Sequence, residues 1–341
     1  MKRTTGPVLS VVVPAYNEGR NLPPLHKKLI ASLESLKAPV NGRFEIIYCD
    51  DGSSDNTPQL VAAWHRQDKR VKSVRLSRNF GKENALAAGI AVARGQAIVM
   101  LDGDGQHPPA LIPKFVRAWR NGTQVVIGLS TDKQRQGLLK RVGTRVFYGF
   151  FNRLTGQKML AGATDYRLID RSVQQAFLQL HESNRVTRGL IDWLGFKREF
   201  INFRTAPRAH GRQTYDLRKL MQLAANSFVS SSPKPLYMFG YLGIFITIAA
   251  LILGTTVFIE QLVLDDPLNW NFTGTAMLGI LILFLVGLLL LSQGILSLYI
   301  SHIHSQSMQR PLYVVDYDNS VGISFLEDDP RSGMIVRAKG Q

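Results

Sequence analysis

The chain has 341 residues, enough for one sizeable domain with an appendage. Lysine and arginine number 41 against 25 acidic residues, a formal charge of +16, which favours polyanionic partners such as phosphorylated substrates or anionic lipid. The aromatic-studded basic repeats of an RNA binder and zinc-finger spacings are both absent, so no nucleic acid is expected as partner; the one cysteine, Cys49, excludes an internal disulfide and a cysteine-rich zinc site.

In chain order, the apolar run 8–13 is too short for a signal-peptide core and ends at Pro14, so it reads as a first strand with the N-terminus in the cytoplasm. Strands are expected at 9–13, 44–49, 71–76, 97–101 and 125–128. Helices are expected at 21–37, 57–67, 82–93 and 109–120. Cys49 falls in an apolar run and reads as a buried, inert thiol. Pro58 suits a first helical turn, with Ser54 or Asp55 as cap. The β-α-β order predicts an α/β fold with a mostly parallel, Rossmann-like sheet covered on both faces. Ligands of such sheets bind beyond the carboxyl ends of the strands. The polar clusters 14–18, 50–55 and 102–106 fall there.

Charges are dense up to Lys234 and nearly vanish until Arg310. The uncharged run 236–259 holds about 24 residues, enough for a hydrocarbon core of about 30 Å. A second run, 267–301, is densest at 277–300. Glu260, Asp265 and Asp266 lie between the two runs, and Arg218, Lys219, Lys234 and Arg310 flank them. The positive-inside rule then predicts a hairpin with both termini cytoplasmic. Two basic amphipathic segments, 138–154 and 217–228, read as core helices or as helices lying in the membrane interface. The final stretch, 310–341, is polar with one strand-like run at 312–315 and reads as a tail.

The sharpest local signal is Asp102–Gly103–Asp104 directly after an apolar strand. Two carboxylates flanking one glycine can face one divalent cation, and the glycine permits a tight turn. Hard oxygen ligands suit Mg²⁺ or Mn²⁺, which also bind substrate phosphates, and Gln106 adds a third oxygen. An EF-hand would need glycine and glutamate where His107 and Pro113 stand. Gly81–Lys82 lacks the upstream glycine and the following Ser/Thr of a Walker A loop.

Four segments together, 11–18, 50–55, 77–82 and 102–109, resemble glycosyltransferase family 2. Their order and spacing are similar to its polyprenyl-phosphate branch, which includes dolichyl-phosphate mannose synthases and undecaprenyl-phosphate glycosyltransferases. The segment 164–168 and the two apolar runs followed by 310–313 extend the resemblance over roughly residues 8–315. It implies a GT-A fold and inverting transfer from a nucleotide-sugar donor, with a UDP-sugar as the default. The acceptor implied is a polyprenyl phosphate, undecaprenyl phosphate in bacteria, giving a lipid-linked monosaccharide for cell-envelope glycan or lipid A modification. It implies that Pro14, Tyr16, Glu18, Asp50, Asp51, Lys82 and Asp102 serve the nucleotide-sugar. It places Asp102, Asp104 and Gln106 at the metal and diphosphate, and Asp104 and Asp165 at the chemistry. Asp165 is also open to a structural reading, as a cap or a partner of Arg167. The branch usually carries arginine where Leu129 and Ser130 stand, and often lysine where Thr214 stands. Arg208 and Arg212 are candidates to compensate, and Arg135, Lys140, Arg141 and Arg212 are candidates to gather the acceptor phosphate.

The expected organisation is a cytosolic GT-A domain at 1–215, an interfacial helix at 216–232, two transmembrane helices within 233–301 (236–259 and 274–300), and a cytosolic tail at 302–341. The expected location is a bacterial inner membrane, with membrane lipid and a homo-oligomer such as a tetramer as partners. A processive polysaccharide synthase is one rival, though no Gln-x-x-Arg-Trp segment or further spans are visible. A membrane scaffold without turnover is another.

Overall fold

The computed structural model describes residues 6–38, 40–131, 163–180, 186–205, 274–307 and 310–323, with Phe245, Ile248 and Ile252 besides. These residues divide into two units. Residues 6–131, 163–205 and 310–323 form the first, and the helical residues between 245 and 307 belong to the second.

The first unit is an α/β sandwich around one seven-stranded sheet. In chain order its elements are β1 (Leu9–Ala15), α1 (Leu22–Glu34), β2 (Phe44–Asp50), α2 (Thr57–Gln67), β3 (Val71–Arg75), α3 (Lys82–Val92) and β4 (Ala97–Met100). A 3-10 turn (Pro109–Leu111), α4 (Ile112–Arg120), β5 (Val125–Ser130), β6 (Ala163–Asp170), α5 (Arg171–Leu178), α6 (Thr187–Trp193) and β7 (Arg198–Phe203) follow. The spatial order is β3-β2-β1-β4-β6-β5-β7. Neighbours pair in parallel except at β6, which runs antiparallel to both β4 and β5. This mostly parallel sheet is the α/β architecture expected, of GT-A type.

The period of two along each strand divides the core. Val11, Val13, Ile46 and Tyr48 face α1, α2 and α4, where Leu22, Leu25, Leu29, Val61 and Phe115 meet them. Val12, Ile47 and Cys49 face the other way, onto Ala85, Leu86 and Ile90 of α3, Phe177 of α5 and Ile191 of α6. Every residue of β1 and β2 is therefore buried, which is why these strands read as continuous apolar runs rather than alternating ones. Cys49 is buried as expected, and burial pushes its thiol pKa up.

The expected helix at 109–120 begins as the 3-10 turn before becoming α4. The N-cap of α2 is Asn56, not Ser54 or Asp55, and its side chain makes no cap bond; Asp55 Oδ1, one residue earlier, accepts the Thr57 N–H at 3.0 Å, and the Ser54 N–H donates to Asn17. The stretch 310–323 packs against the sheet. Tyr313 and Val315 are buried in the α3-side core, and Val315 and Val321 pair antiparallel with Leu76 and Ser73.

In the second unit one helix, α7 (Gly274–Ser307), runs for 34 residues. It contains no Asp, Glu, Lys or Arg, and Leu278, Ile282, Leu289, Ile300 and Ile303 are exposed on it. Of the first expected span, Phe245, Ile248 and Ile252 are helical and exposed, and its other residues lie outside those described. So do the amphipathic segments 138–154 and 217–228, and with them Arg135, Lys140, Arg141, Arg208 and Arg212.

Candidate active site

Three loops converge at the carboxyl ends of β1, β2 and β4. After β1 the chain turns through Asn17, a non-glycine residue at φ 54°, inside the left-handed region. The Asn17 side chain supports that geometry, because its Oδ1 accepts from Ser54 N at 2.9 Å and from Asp55 N at 3.3 Å. Its backbone N–H donates to Ser53 Oγ at 2.9 Å. The loops after β1 and β2 are thus laced together. Pro14 lies inside β1, opposite Cys49, while Tyr16 is 47% exposed at the rim. Glu18 accepts from Asn21 Nδ2 at 2.5 Å and stands at the start of α1.

Asp50 closes β2 and is almost wholly buried. Its Oδ1 accepts from Ser53 N at 3.0 Å, and its Oδ2 lies 3.5 Å from Arg75 Nε. Among the described residues Oδ2 receives no hydrogen bond. Burial raises the Asp50 pKa and outweighs the opposing pull of Ser53 and Arg75. A desolvated carboxylate oxygen with no donor is suited to accept one from a ligand.

Asp51 has a different task. Its two oxygens accept from Phe80 N at 2.7 Å and Gly81 N at 2.9 Å. It is buried and fastens the 77–82 loop to the end of β2. Gly52 makes the approach possible. Its φ is +71°, and a Cβ there would stand 2.6 Å from the Arg78 carbonyl carbon.

That loop delivers Lys82, the first residue of α3. Its Nζ lies 2.7 Å from Asp102 Oδ1, past the end of β4, and 2.7 Å from Asp165 Oδ2 on β6. Burial alone would lower the Lys82 pKa, but the two carboxylates outweigh it and raise it. Burial pushes the Asp165 pKa up, yet the Lys82 charge and hydrogen bond, with help from Arg188 and Arg167, bring it below the usual carboxylate range. The partner of Asp165 is therefore Lys82. Arg167 turns away into the core, where it bonds Asp192 at 2.8 Å and the Thr164 carbonyl at 3.1 Å.

Asp104 Oδ1 accepts from Gln106 N at 3.1 Å. The tight turn falls at Gly105, at φ +76°. Gly103 is needed for a different reason, since a Cβ there would stand 2.9 Å from the Pro14 carbonyl oxygen. The spacing thus lets the Asp102–Asp104 loop lie directly on the end of β1. His107 holds it from below. It stacks on Tyr166 at 5.1 Å, and its Nδ1 accepts the Asp102 N–H at 3.2 Å. Burial lowers the His107 pKa, which keeps the imidazole neutral and able to accept.

No three His, Cys, Asp or Glu side chains among the described residues form a ready-made metal cage. The donor chemistry nonetheless fits a divalent cation. Asp102 and Asp165 already converge on one positive charge, and Asp104 lies two residues beyond Asp102. Mg²⁺ commonly takes one or two carboxylates and completes its shell with water and substrate phosphate.

The sequence places Asp50, Asp102 and Asp104 at the ends of strands, and the resemblance adds Lys82 and Asp165; the structure brings Lys82, Asp102 and Asp165 together at the carboxyl end of β4. The sequence does not place Arg188, whose charge acts on Asp165, or Asp192, which anchors Arg167. Asp192 carries no local signal. Arg167 stands inside the 164–168 motif and could have been read from it.

Carboxylates and a lysine are thus gathered at the end of the sheet where open α/β folds bind their ligands. Residues 10–177 match the family model for glycosyl transferase family 2. An uncharacterized glycosyltransferase of Synechocystis is 36% identical over 307 residues, 90% of this chain and 94% of that protein. The bactoprenol glucosyl transferase of Shigella phage SfV is 32% identical over 307 residues, 90% of this chain and 97% of that one. Glucosyl-3-phosphoglycerate synthase from Mycobacterium tuberculosis, solved with Mn²⁺, UDP-glucose and phosphoglyceric acid, is 21% identical over 66% of this chain and 78% of that one, at a TM-score of 0.47. The chain belongs to glycosyl transferase family 2 and is a glycosyltransferase.

Proposed function

We propose that the protein moves one sugar from a nucleotide-sugar, a UDP-sugar by preference, to the phosphate of a polyprenyl phosphate such as undecaprenyl phosphate, with inversion. The observation that carries this reading is the Asp102–Lys82–Asp165 bridge at the carboxyl end of β4 and the amino-terminal end of the antiparallel β6. The near-full-length similarity to a bactoprenol glucosyl transferase supports the acceptor class. The formal charge of +16 suits two phosphorylated substrates.

In the reaction an acceptor phosphate oxygen attacks the anomeric carbon. The bond from that carbon to the nucleoside diphosphate breaks, and the electron pair leaves with the diphosphate. A phosphate monoester has a second pKa of about 6, so at neutral pH it is already a dianionic nucleophile. No side chain has to remove a proton. The lowered pKa of Asp165 agrees with this, because it makes Asp165 a poor base. Asp165 instead holds Lys82, whose ammonium offers charge to the departing diphosphate. Asp102, Asp104 and Gln106 would hold Mg²⁺ or Mn²⁺, which when bound neutralises charge on the leaving group. Asp50 Oδ2 is the acceptor available to the nucleotide.

The acceptor lives in a bilayer, and the two long uncharged runs of the sequence, 236–259 and 267–301, support membrane anchoring. Among the described residues no helix is long and apolar enough to cross a membrane, so the reading rests on the sequence, and α7 falls on the second of its uncharged runs. We place it as one arm of the hairpin in the bacterial inner membrane, with the catalytic unit cytoplasmic. Transfer of labelled sugar from a nucleotide-sugar panel into organic extract, only when polyprenyl phosphate is present, tests the reading. Label that stays in the aqueous phase rejects it.

A further inference from the structure

We propose that the C-terminal segment 312–321, which follows α7 in the chain, is a positioning element of the donor site: it sets the loop that carries Lys82. This rests on the proposed role of Lys82 at the donor diphosphate.

β3 is the edge strand of the sheet, and an uncovered edge would leave its outward backbone groups to water or to another chain. The segment takes those groups one by one. Ser73 N donates to Val321 O at 2.9 Å, and Val321 N returns a bond to Ser73 O at 3.1 Å. Arg75 N donates to Ser320 Oγ at 3.0 Å, and Asp316 N donates to Arg75 O at 2.8 Å. The last bond of the ladder, Ser77 N to Val314 O at 2.9 Å, lies beyond β3, on the first residue of the 77–82 loop. Tyr313 and Val315 are buried beside Leu76 in the core under α3.

The loop is therefore gripped at both ends. Val314 fixes it at Ser77, and the Asp51 carboxylate fixes it at Phe80 and Gly81. Only three residues, Arg78 to Phe80, separate the first grip from Gly81. Lys82 follows at once and must reach Asp102 and Asp165 together at 2.7 Å each. A ligand-facing side chain held between two carboxylates tolerates little drift, since displacements near 1 Å cost catalysis about 10²-fold. The ladder bonds of the segment end on β3 and on Ser77. Its effect on Lys82 passes through the loop.

The experiment uses the full chain with Val315→Ala, Ser320→Ala and the conservative Val315→Ile. Two readouts are taken: amide hydrogen exchange of residues 77–82, and KM for nucleotide-sugar and for polyprenyl phosphate separately. We expect exchange in 77–82 to rise at least tenfold in Val315→Ala. Donor KM should rise at least fivefold and acceptor KM by less than twofold, with Val315→Ile near wild type. Should Val315→Ala fail to fold, Ser320→Ala, which removes the bonds of Ser320 Oγ to Arg75 N and to the Asp316 carbonyl, must still raise exchange in the loop. Unchanged exchange in 77–82, or donor and acceptor KM rising equally, overturns the proposal. Hydrogen exchange needs no turnover, so a wild type without transfer activity would reject the functional reading and leave this inference separately testable.

Discussion

Lys82 and Asp165 stand 83 positions apart in the sequence, yet the Lys82 ammonium lies 2.7 Å from Asp165 Oδ2 and the same distance from Asp102 Oδ1. One side chain thereby links α3, β4 and β6. Replacing it by Lys82→Met leaves two facing carboxylates without their cation. We expect kcat/KM to fall about 10²-fold or more, the size seen when one preorganised electrostatic group is lost. Lys82 is 43% exposed, so the pair is screened and the thermal midpoint should move little. Steady-state kinetics with a melting curve check this. Activity within threefold of wild type would contradict it.

The same pair fixes a pH expectation. The lowered Asp165 pKa contributes stability above its unfolded value of about 3.9, lost as pH falls through the folded one. The raised Lys82 pKa contributes below about 10.4 and is lost only as pH rises through the folded value. Between about pH 5 and 9 the pair should add no inflection to the rate. The inflection expected there comes from the acceptor phosphate, at about pH 6. A rate profile that keeps a second inflection in wild type and loses it in Lys82→Met would contradict the assignment.

His107 acts with the same sign as Asp165, at a higher pH. Its pKa is lowered by burial, so the unfolded chain takes up its proton first, below about pH 6.5, and stability falls as pH drops through that range. His26 is lowered for the same reason and contributes with the same sign. We expect the thermal midpoint of wild type to fall from pH 7 to pH 5. The fall should be shallower in His107→Phe, which keeps a ring against Tyr166 and cannot titrate. Equal slopes would remove His107 from the account.

Gly52→Ala tests how the two nucleotide-side loops meet. The added methyl would sit 2.6 Å from Arg78 backbone at a residue whose φ is +71°. A non-glycine residue held there costs about 1–3 kcal/mol, before the clash is counted. Calorimetry should show that loss together with a raised donor KM. A variant as stable as wild type would mean that the loops do not close on one another as described.

Much of this was legible in the sequence for one physical reason. β1, β2, β4 and the first four residues of β5 are buried on both faces, and such strands announce themselves as apolar runs ended by Pro, Gly or Asp. Helix 57–67 was read to the residue because Pro58 and the preceding acidic turn mark its start. β7 was not legible. Three of its first residues, Arg198, Glu199 and Phe200, are exposed on an edge strand, so neither periodicity nor composition sets it apart. β6 was visible only as a motif, since its antiparallel insertion between β4 and β5 is a tertiary choice with no local signature. The bond between Lys82 and Asp165 is of the same kind. Each residue could be singled out, but their meeting depends on that insertion.

Membrane topology has its own test. Cys49 is fully buried and should not label, so introduced cysteines report alone. With the proposed hairpin, Leu268→Cys and Ser307→Cys should label from opposite sides of sealed vesicles. Labelling from one side would contradict it.

Transfer of a single sugar to a lipid phosphate leaves a product whose mass can be read by mass spectrometry. Purified full-length protein is incubated in detergent or vesicles with polyprenyl phosphate, a nucleotide-sugar panel and Mg²⁺ or Mn²⁺. We expect one new lipid, heavier than the acceptor by one sugar residue, formed with one nucleoside diphosphate per lipid. A ladder of lipids carrying several sugars, or nucleoside diphosphate released with free sugar and unchanged lipid, would contradict it.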